Sequence, residues 1–317
     1  MLAALFQRCV IVAGFGAILV SLSEFWFYEV TDDVNAALLL LGYGLLGWLF
    51  LTVVQQFHVT SLAGFIVAAA LLGFLIEGVP VPVLYSELPM SILWTSLAWH
   101  GLITVGIGWY VFRRVMAHGG WAPAALYNVG LGLFLGLWNA YSWTARDTGA
   151  GGEVRFEWQH ADGFIDQFLF GYALFLGGHL LFDRAYPKDV RFHRWEVLGL
   201  VTVAVAIAVL TAVGSGLIVP SLTLPVLVLG CVLALRRDRS HRQTGGVTCP
   251  DQLHQNPIPL PRFALTGLIP VCAISVYSAM VEARIGFEAN VLVILTAGPA
   301  SVWLLVWALR RIARGPA

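Results

Sequence analysis

The chain is poor in charge. Only 11% of its 317 residues are Asp, Glu, Lys or Arg, against 59% hydrophobic. An ordinary globular domain carries about 25% charged residues, so a soluble fold is excluded. Lysine is nearly missing: Lys188 stands alone among the 18 basic residues, the rest being arginine. That bias suggests a GC-rich coding sequence and a prokaryotic source. Four cysteines without a C-x-x-C pair call for neither a disulfide nor a zinc site. Cys9, Cys231 and Cys272 fall in apolar runs and read as small packing residues, and Cys249 falls in a polar loop. There is no G-x-x-x-x-G-K-[ST], H-E-x-x-H or G-x-S-x-G, and no pair of histidines four apart. The longest polar stretch, 236–262, is only loop-sized, so nothing resembles an extramembranous domain.

What the chain has instead is apolar runs of membrane-spanning length. Ten are read, at roughly 5–27, 34–54, 59–78, 90–112, 121–143, 163–183, 195–213, 217–235, 263–281 and 289–309. A hydrocarbon core about 30 Å thick needs about 20 residues at 1.5 Å each. The first run imitates a signal peptide, but Ser21–Glu24 is no small-x-small cleavage site and the run continues into Phe25, so it is kept as a span. The expected fold is all-α, a polytopic helix bundle of about ten transmembrane helices. Its expected parts are an eight-helix body (1–235), a polar cytoplasmic linker (236–262) and a terminal helix pair (263–317).

The arginines orient the bundle. Arg8 precedes span 1, Arg113 and Arg114 follow span 4, and Arg184, Lys188, Arg191 and Arg194 follow span 6. Arg236, Arg237, Arg239, Arg242 and Arg262 lie between spans 8 and 9, and Arg310, Arg311 and Arg314 follow span 10. The opposite side holds only Arg146, Arg155 and Arg284. The positive-inside rule therefore places both termini in the cytoplasm, in the plasma (inner) membrane of a prokaryote. Most acids lie towards the outer side, as a solvated rim or a cation-attracting vestibule. The tryptophans are expected mostly at the two interfaces, with Trp99 and Trp138 deeper. Closely spaced glycines such as Gly132/Gly136 and Gly177/Gly178 read as sites of tight helix packing.

Polar groups inside spans are costly unless paired or hydrated, and so mark candidate sites. His100 lies about 15 Å into span 4, near mid-bilayer. Span 6 opens with His160, Asp162 and Asp166 and later carries His179 and Asp183. Asp162 and Asp166 share a face, as do His179 and Asp183. Asp183 is expected to pair with its neighbour Arg184 at the inner interface. Asn139 sits among Trp138, Tyr141 and Trp143, as an interhelical hydrogen bonder or a substrate contact. The proline-broken segment 78–89 reads as an outer cap dipping towards the bundle, with Glu77 and Glu87 at its ends as cation or proton acceptors. Glu77, Glu87 and Asp166 together would make an outward-facing acidic site.

Three functions fit these candidates. A secondary transporter or permease comes first, its titratable groups spread in depth along an outward-opening path. An intramembrane enzyme with an outward-facing His/carboxylate site comes second. A non-catalytic membrane subunit or assembly factor comes third. His100 within a few Å of Glu77 or Asp166 favours the enzyme. A continuous path from His100 to His179 favours transport. The expected partners are the lipid bilayer and a small-molecule or ion substrate, with no nucleic acid; no metal, cofactor or oligomeric state is indicated. The orientation is testable by cysteine labelling. Cysteines at Asp33, Gly151 and Arg284 are expected to react with an impermeant reagent from outside, and one at Arg239 not to. Outside labelling at Arg239 would invert the topology.

Overall fold

The computed structural model describes residues 2–30, 36–147, 154–158, 163–185, 193–240 and 257–315. His160 and Asp162 lie outside the described residues. The architecture is an all-α bundle. The helices are α1 (Leu2–Val20), α2 (Ala36–Gln56), α3 (Leu62–Gly78), α4 (Ile92–His118), α5 (Trp121–Ser142), α6 (Phe164–Ala185), α7 (Arg194–Gly214), α8 (Thr223–Ser240), α9 (Leu268–Glu282) and α10 (Ala289–Arg314). Among the described residues nine helical segments are long and apolar enough to cross a membrane. The remaining apolar helix, α3, has 17 residues, the lower end of spanning length. A two-stranded antiparallel ribbon, β1 (Ala145–Asp147) with β2 (Val154–Phe156), links α5 to α6.

Two segments depart from α-helical winding. Ser21–Phe25 continues α1 as a π-helix, and the first twenty residues of α4, Ile92–Val111, carry the same i→i+5 winding. Both lie where the candidate site forms, as such segments often do.

α3 is buried over most of its length and packs against α2, α4, α8 and α10. α1 runs along α6 and α2, and α9 lies along α5. The last two helices are thus integrated with the preceding ones: α9 on α5, and α10 on α3 and α4. α7 touches the rest mainly through α2 and exposes a row of large apolar side chains, among them Leu198, Val205, Val209 and Leu210. In a bilayer that face meets lipid.

Glycines set the closest approaches. A Cβ on Gly178 would fall 2.6 Å from the Gly14 carbonyl oxygen, and one on Gly14 would fall 2.9 Å from the Gly178 carbonyl oxygen, so α1 and α6 cross backbone to backbone. Gly132 and Gly136 do the same for α5 against α9. Gly177, beside Gly178, faces open space. Trp121 and Trp195 are exposed, but Trp26, Trp109 and Trp143 are fully buried and belong to the core, where their large rings fill space between helices. Cys231 is buried, whereas Cys9 lies on the outside of α1.

The arginine-rich helix ends lie together. Arg8 pairs with Glu196 at 2.5 Å, joining the starts of α1 and α7. Arg237 donates to the Ala313 carbonyl at 2.6 Å, Arg239 to that of Gln56 at 2.7 Å, and Arg262 to those of Met116 and Ala117 at 2.8 and 3.1 Å. These guanidiniums cap the C-terminal carbonyls of α10, α2 and α4, where a helix dipole favours cations. The glycine reading yields a paired test. Gly178→Val is expected to destabilise the fold by roughly 1–3 kcal/mol through overpacking, lowering the thermal midpoint in detergent. Gly177→Val is expected to leave the midpoint nearly unchanged. Equal midpoints for the two variants would remove the close α1–α6 crossing.

Candidate functional site

The site begins with a backbone problem. A helix end leaves its last carbonyls without intrahelical donors, and the end of α1 is buried among other helices. Side chains from three helices supply the donors. Thr104 Oγ1 donates to the Leu22 carbonyl (3.1 Å) and the Trp99 indole to that of Ser23 (3.4 Å). Gln167 donates to the carbonyls of Phe25 (3.1 Å) and Tyr28 (2.6 Å). Asn139 serves Trp26 (2.7 Å), and the Trp138 indole serves Phe27 (2.7 Å). Gln167 also accepts from the Val30 amide at 2.9 Å. Asn139 is therefore an interhelical hydrogen bonder, and Trp99 and Trp138 pack against each other with their rings tilted by 45° (centroids 4.7 Å apart) while holding α1.

Stitched in this way, α1 presents Ser23 and Glu24 to α2, α3 and α4. His100 Nε2 lies 2.7 Å from Glu77 Oε1, with His100 3% and Glu77 7% exposed. His100 Nδ1 lies 3.3 Å from Ser23 Oγ, and Ser23 Oγ lies 3.1 Å from Thr104 Oγ1. Tyr43 donates to Glu24 Oε1 at 2.5 Å. Glu24 is within electrostatic range of both His100 and Glu77. The result is two hydrogen-bonded pieces, Tyr43–Glu24 and Thr104–Ser23–His100–Glu77, gathered across four helices. Glu24 is the partly exposed member, and the exposed Tyr28 feels both carboxylates. Exposure within the cluster thus rises towards the end where α1 finishes.

The protons in this cluster can be counted. Thr104 spends its single proton on the Leu22 carbonyl, so the Ser23–Thr104 bond uses the Ser23 proton. Ser23 then has none left for His100, and the Nδ1 contact requires the proton on the imidazole. This is the reverse of a nucleophilic serine, which gives its proton to histidine. Nε2 and Glu77 then share one proton, as imidazolium with carboxylate or imidazole with carboxylic acid. The arrangement suits proton transfer and not acyl transfer. No three His, Cys, Asp or Glu side chains among the described residues gather as metal ligands.

A second cluster lies further along α4. Arg113 donates to Asp183 and, at 3.1 Å, meets His179 Nδ1; Arg113 and His179 are completely buried. Arg113 also lies over the Phe182 ring, 5.0 Å from its centroid. Asp183 was expected to pair with Arg184, but Arg184 is exposed and the partner is Arg113, which α4 presents to the buried face of α6. His179 Nε2 and Asp183 Oδ2 are buried without partners among the described residues. Between the clusters, in the order His100, Trp109, Arg113 along α4, stands a packed aromatic layer of Phe15, Phe50, Trp109 and Phe182. No polar path from His100 to His179 crosses it among the described residues.

The remaining candidates are placed apart. Glu87 is exposed on the 78–89 segment, which does pack inward through Leu84 and Tyr85. Burial raises the Tyr85 hydroxyl above its ordinary range, and it donates to the Gly78 carbonyl. Asp166 is exposed in the first turn of α6, whereas Glu77 is buried and engaged by His100. Glu24, Tyr43, Ser23, Thr104, Gln167 and Arg113 were not singled out as site residues. Glu24 carried the clearest signal, since it ends span 1 as Glu77 ends span 3. No protein-family model matches this chain, nor does any curated protein or any solved structure.

Proposed function

We propose that this polytopic membrane protein is an intramembrane enzyme. Its acid–base centre is Glu77–His100, assisted by Glu24–Tyr43, and it acts on a membrane-dissolved substrate by adding or removing a proton. The observation that carries this reading is the 2.7 Å contact of His100 with Glu77, with a second carboxylate, Glu24, within electrostatic range of both. Two carboxylates and an imidazole inside an apolar bundle are expensive to retain, and holding helices together would be done as well by neutral side chains. Asn139, Trp138 and Gln167 already perform that structural task. Glu24, partly exposed, and Tyr28, exposed, lie at one end of the cluster, which suits a site that binds and releases on one side. In such a site one member of the Glu77–His100 pair delivers the shared proton while the other stabilises the charge left behind. Glu24 and Tyr43 form a second station beside the pair.

A proton-coupled carrier is the second reading, favoured by the buried Arg113–His179–Asp183 cluster beyond the aromatic layer. Two titratable stations separated by a plug are what alternating access requires.

One comparison separates them. Lipid extracts and media are compared by mass spectrometry for cells expressing wild type, Glu77→Gln, His100→Gln or His179→Gln, each checked for monodisperse protein. The enzyme predicts a lipid-soluble product with wild type and His179→Gln, reduced on the order of 100-fold or more in the other two, the usual scale for losing a general acid or base. No new product, with a solute shifted between cells and medium only when both clusters are intact, would establish the carrier and overturn the enzyme.

A further inference from the structure

The cytoplasmic end of α10, as the arginines orient it, carries a feature that the acid–base site does not use. Trp303, Val306, Trp307, Arg310, Arg311 and Arg314 line an open cleft of 280 Å³. Positions 303, 307, 310 and 314 are spaced to lie on one face of the helix. Trp303 is 65% and Trp307 37% exposed, and all three arginines are exposed. None of the three has a carboxylate partner among the described residues. The end of α8 adds to the charge. Arg237 is anchored on the Ala313 carbonyl at 2.6 Å, Arg236 is exposed beside it in sequence, and the nearby acid Asp238 is buried and faces Ser61. Beyond the cleft the same helix exposes Leu295, about 12 Å from Trp303 along the axis, as apolar surface leading into the bilayer.

We infer that this cleft is a binding site for the headgroup of an anionic phospholipid. Its phosphate would lie between Arg310 and Arg314, one turn apart, with Arg311 at the rim. Its glycerol and upper acyl chain would rest on Trp303 and Trp307. Three observations fix the chemistry. The unneutralised guanidiniums demand an anion, and guanidinium matches phosphate oxygens in a two-pronged geometry. The indoles under them suit the interfacial depth of an ester-linked lipid. The apolar surface below gives the acyl chains protein to follow. A soluble phosphate would use only the first of these features, so the occupant is a lipid.

The test uses full-length protein in bilayer nanodiscs of phosphatidylcholine, alone or with phosphatidylglycerol, and counts retained lipids by native mass spectrometry after transfer to detergent. Wild type is expected to retain phosphatidylglycerol in preference to phosphatidylcholine. Each arginine removed is expected to weaken retention about fivefold, so that Arg310→Gln/Arg311→Gln/Arg314→Gln loses it on the order of a hundredfold. The corresponding triple lysine variant keeps the charge and should retain most of the binding, and Arg114→Gln, at the end of another helix, should retain all of it. Unchanged retention in the triple glutamine variant, equal retention of both lipids, or displacement by inorganic phosphate at the lipid's own concentration would each overturn the assignment.

Discussion

The buried end of α1 is the constraint on which the rest of the structure depends. A peptide carbonyl left without a donor in an apolar interior costs about 1–3 kcal/mol, and water is not at hand in a bilayer to supply one. From Leu22 to Tyr28 the carbonyls of Leu22, Ser23, Phe25, Trp26, Phe27 and Tyr28 all accept hydrogen bonds from side chains of α4, α5 and α6. This requirement selects Thr104, Trp99, Gln167, Asn139 and Trp138, and it fixes how α4, α5 and α6 rotate towards α1. Gly171 then lets the backbone of α6 approach Phe25 and Trp26.

The acid–base chain follows from that placement. With α1 held at its end, Ser23 and Glu24 have no choice but to face Tyr43, Glu77 and His100. The π-winding of α4 keeps His100 and Thr104 together on the side facing Ser23. Because Thr104 is committed to a backbone carbonyl, Ser23 is committed to Thr104, and the imidazole must supply its own proton. A structural hydrogen bond on one helix thus sets the protonation pattern on another. The aromatic layer separates this chain from the Arg113 cluster, so the two ionisable groups are distinct stations.

The sequence carried the bundle and the orientation signal plainly, because run length and arginine position are one-dimensional properties. It also carried His100 and Glu77, since a polar side chain in an apolar run is conspicuous wherever it points. What it could not carry was partnership. Asp183 stands beside Arg184 in the chain but pairs with Arg113, and Glu77 meets His100 across two helices. Tyr43 was invisible because a tyrosine in an apolar run reads as packing. Gln167 was missed because nothing local announces that a carbonyl 142 residues away needs a donor. Nor did the sequence show which tryptophans pack between helices, as Trp26 and Trp109 do.

The central claim is that His100 carries a proton on Nδ1 and shares another with Glu77 through Nε2. Nitrogen-15 magnetic resonance of histidine-labelled protein in bilayers reads both ring nitrogens directly, with His100→Gln assigning the signal. The account predicts a protonated Nδ1 and a strongly hydrogen-bonded Nε2 whose resonance moves in Glu77→Gln while Nδ1 stays protonated. A bare, unprotonated Nδ1 accepting from Ser23, or an Nε2 resonance indifferent to Glu77→Gln, would contradict it.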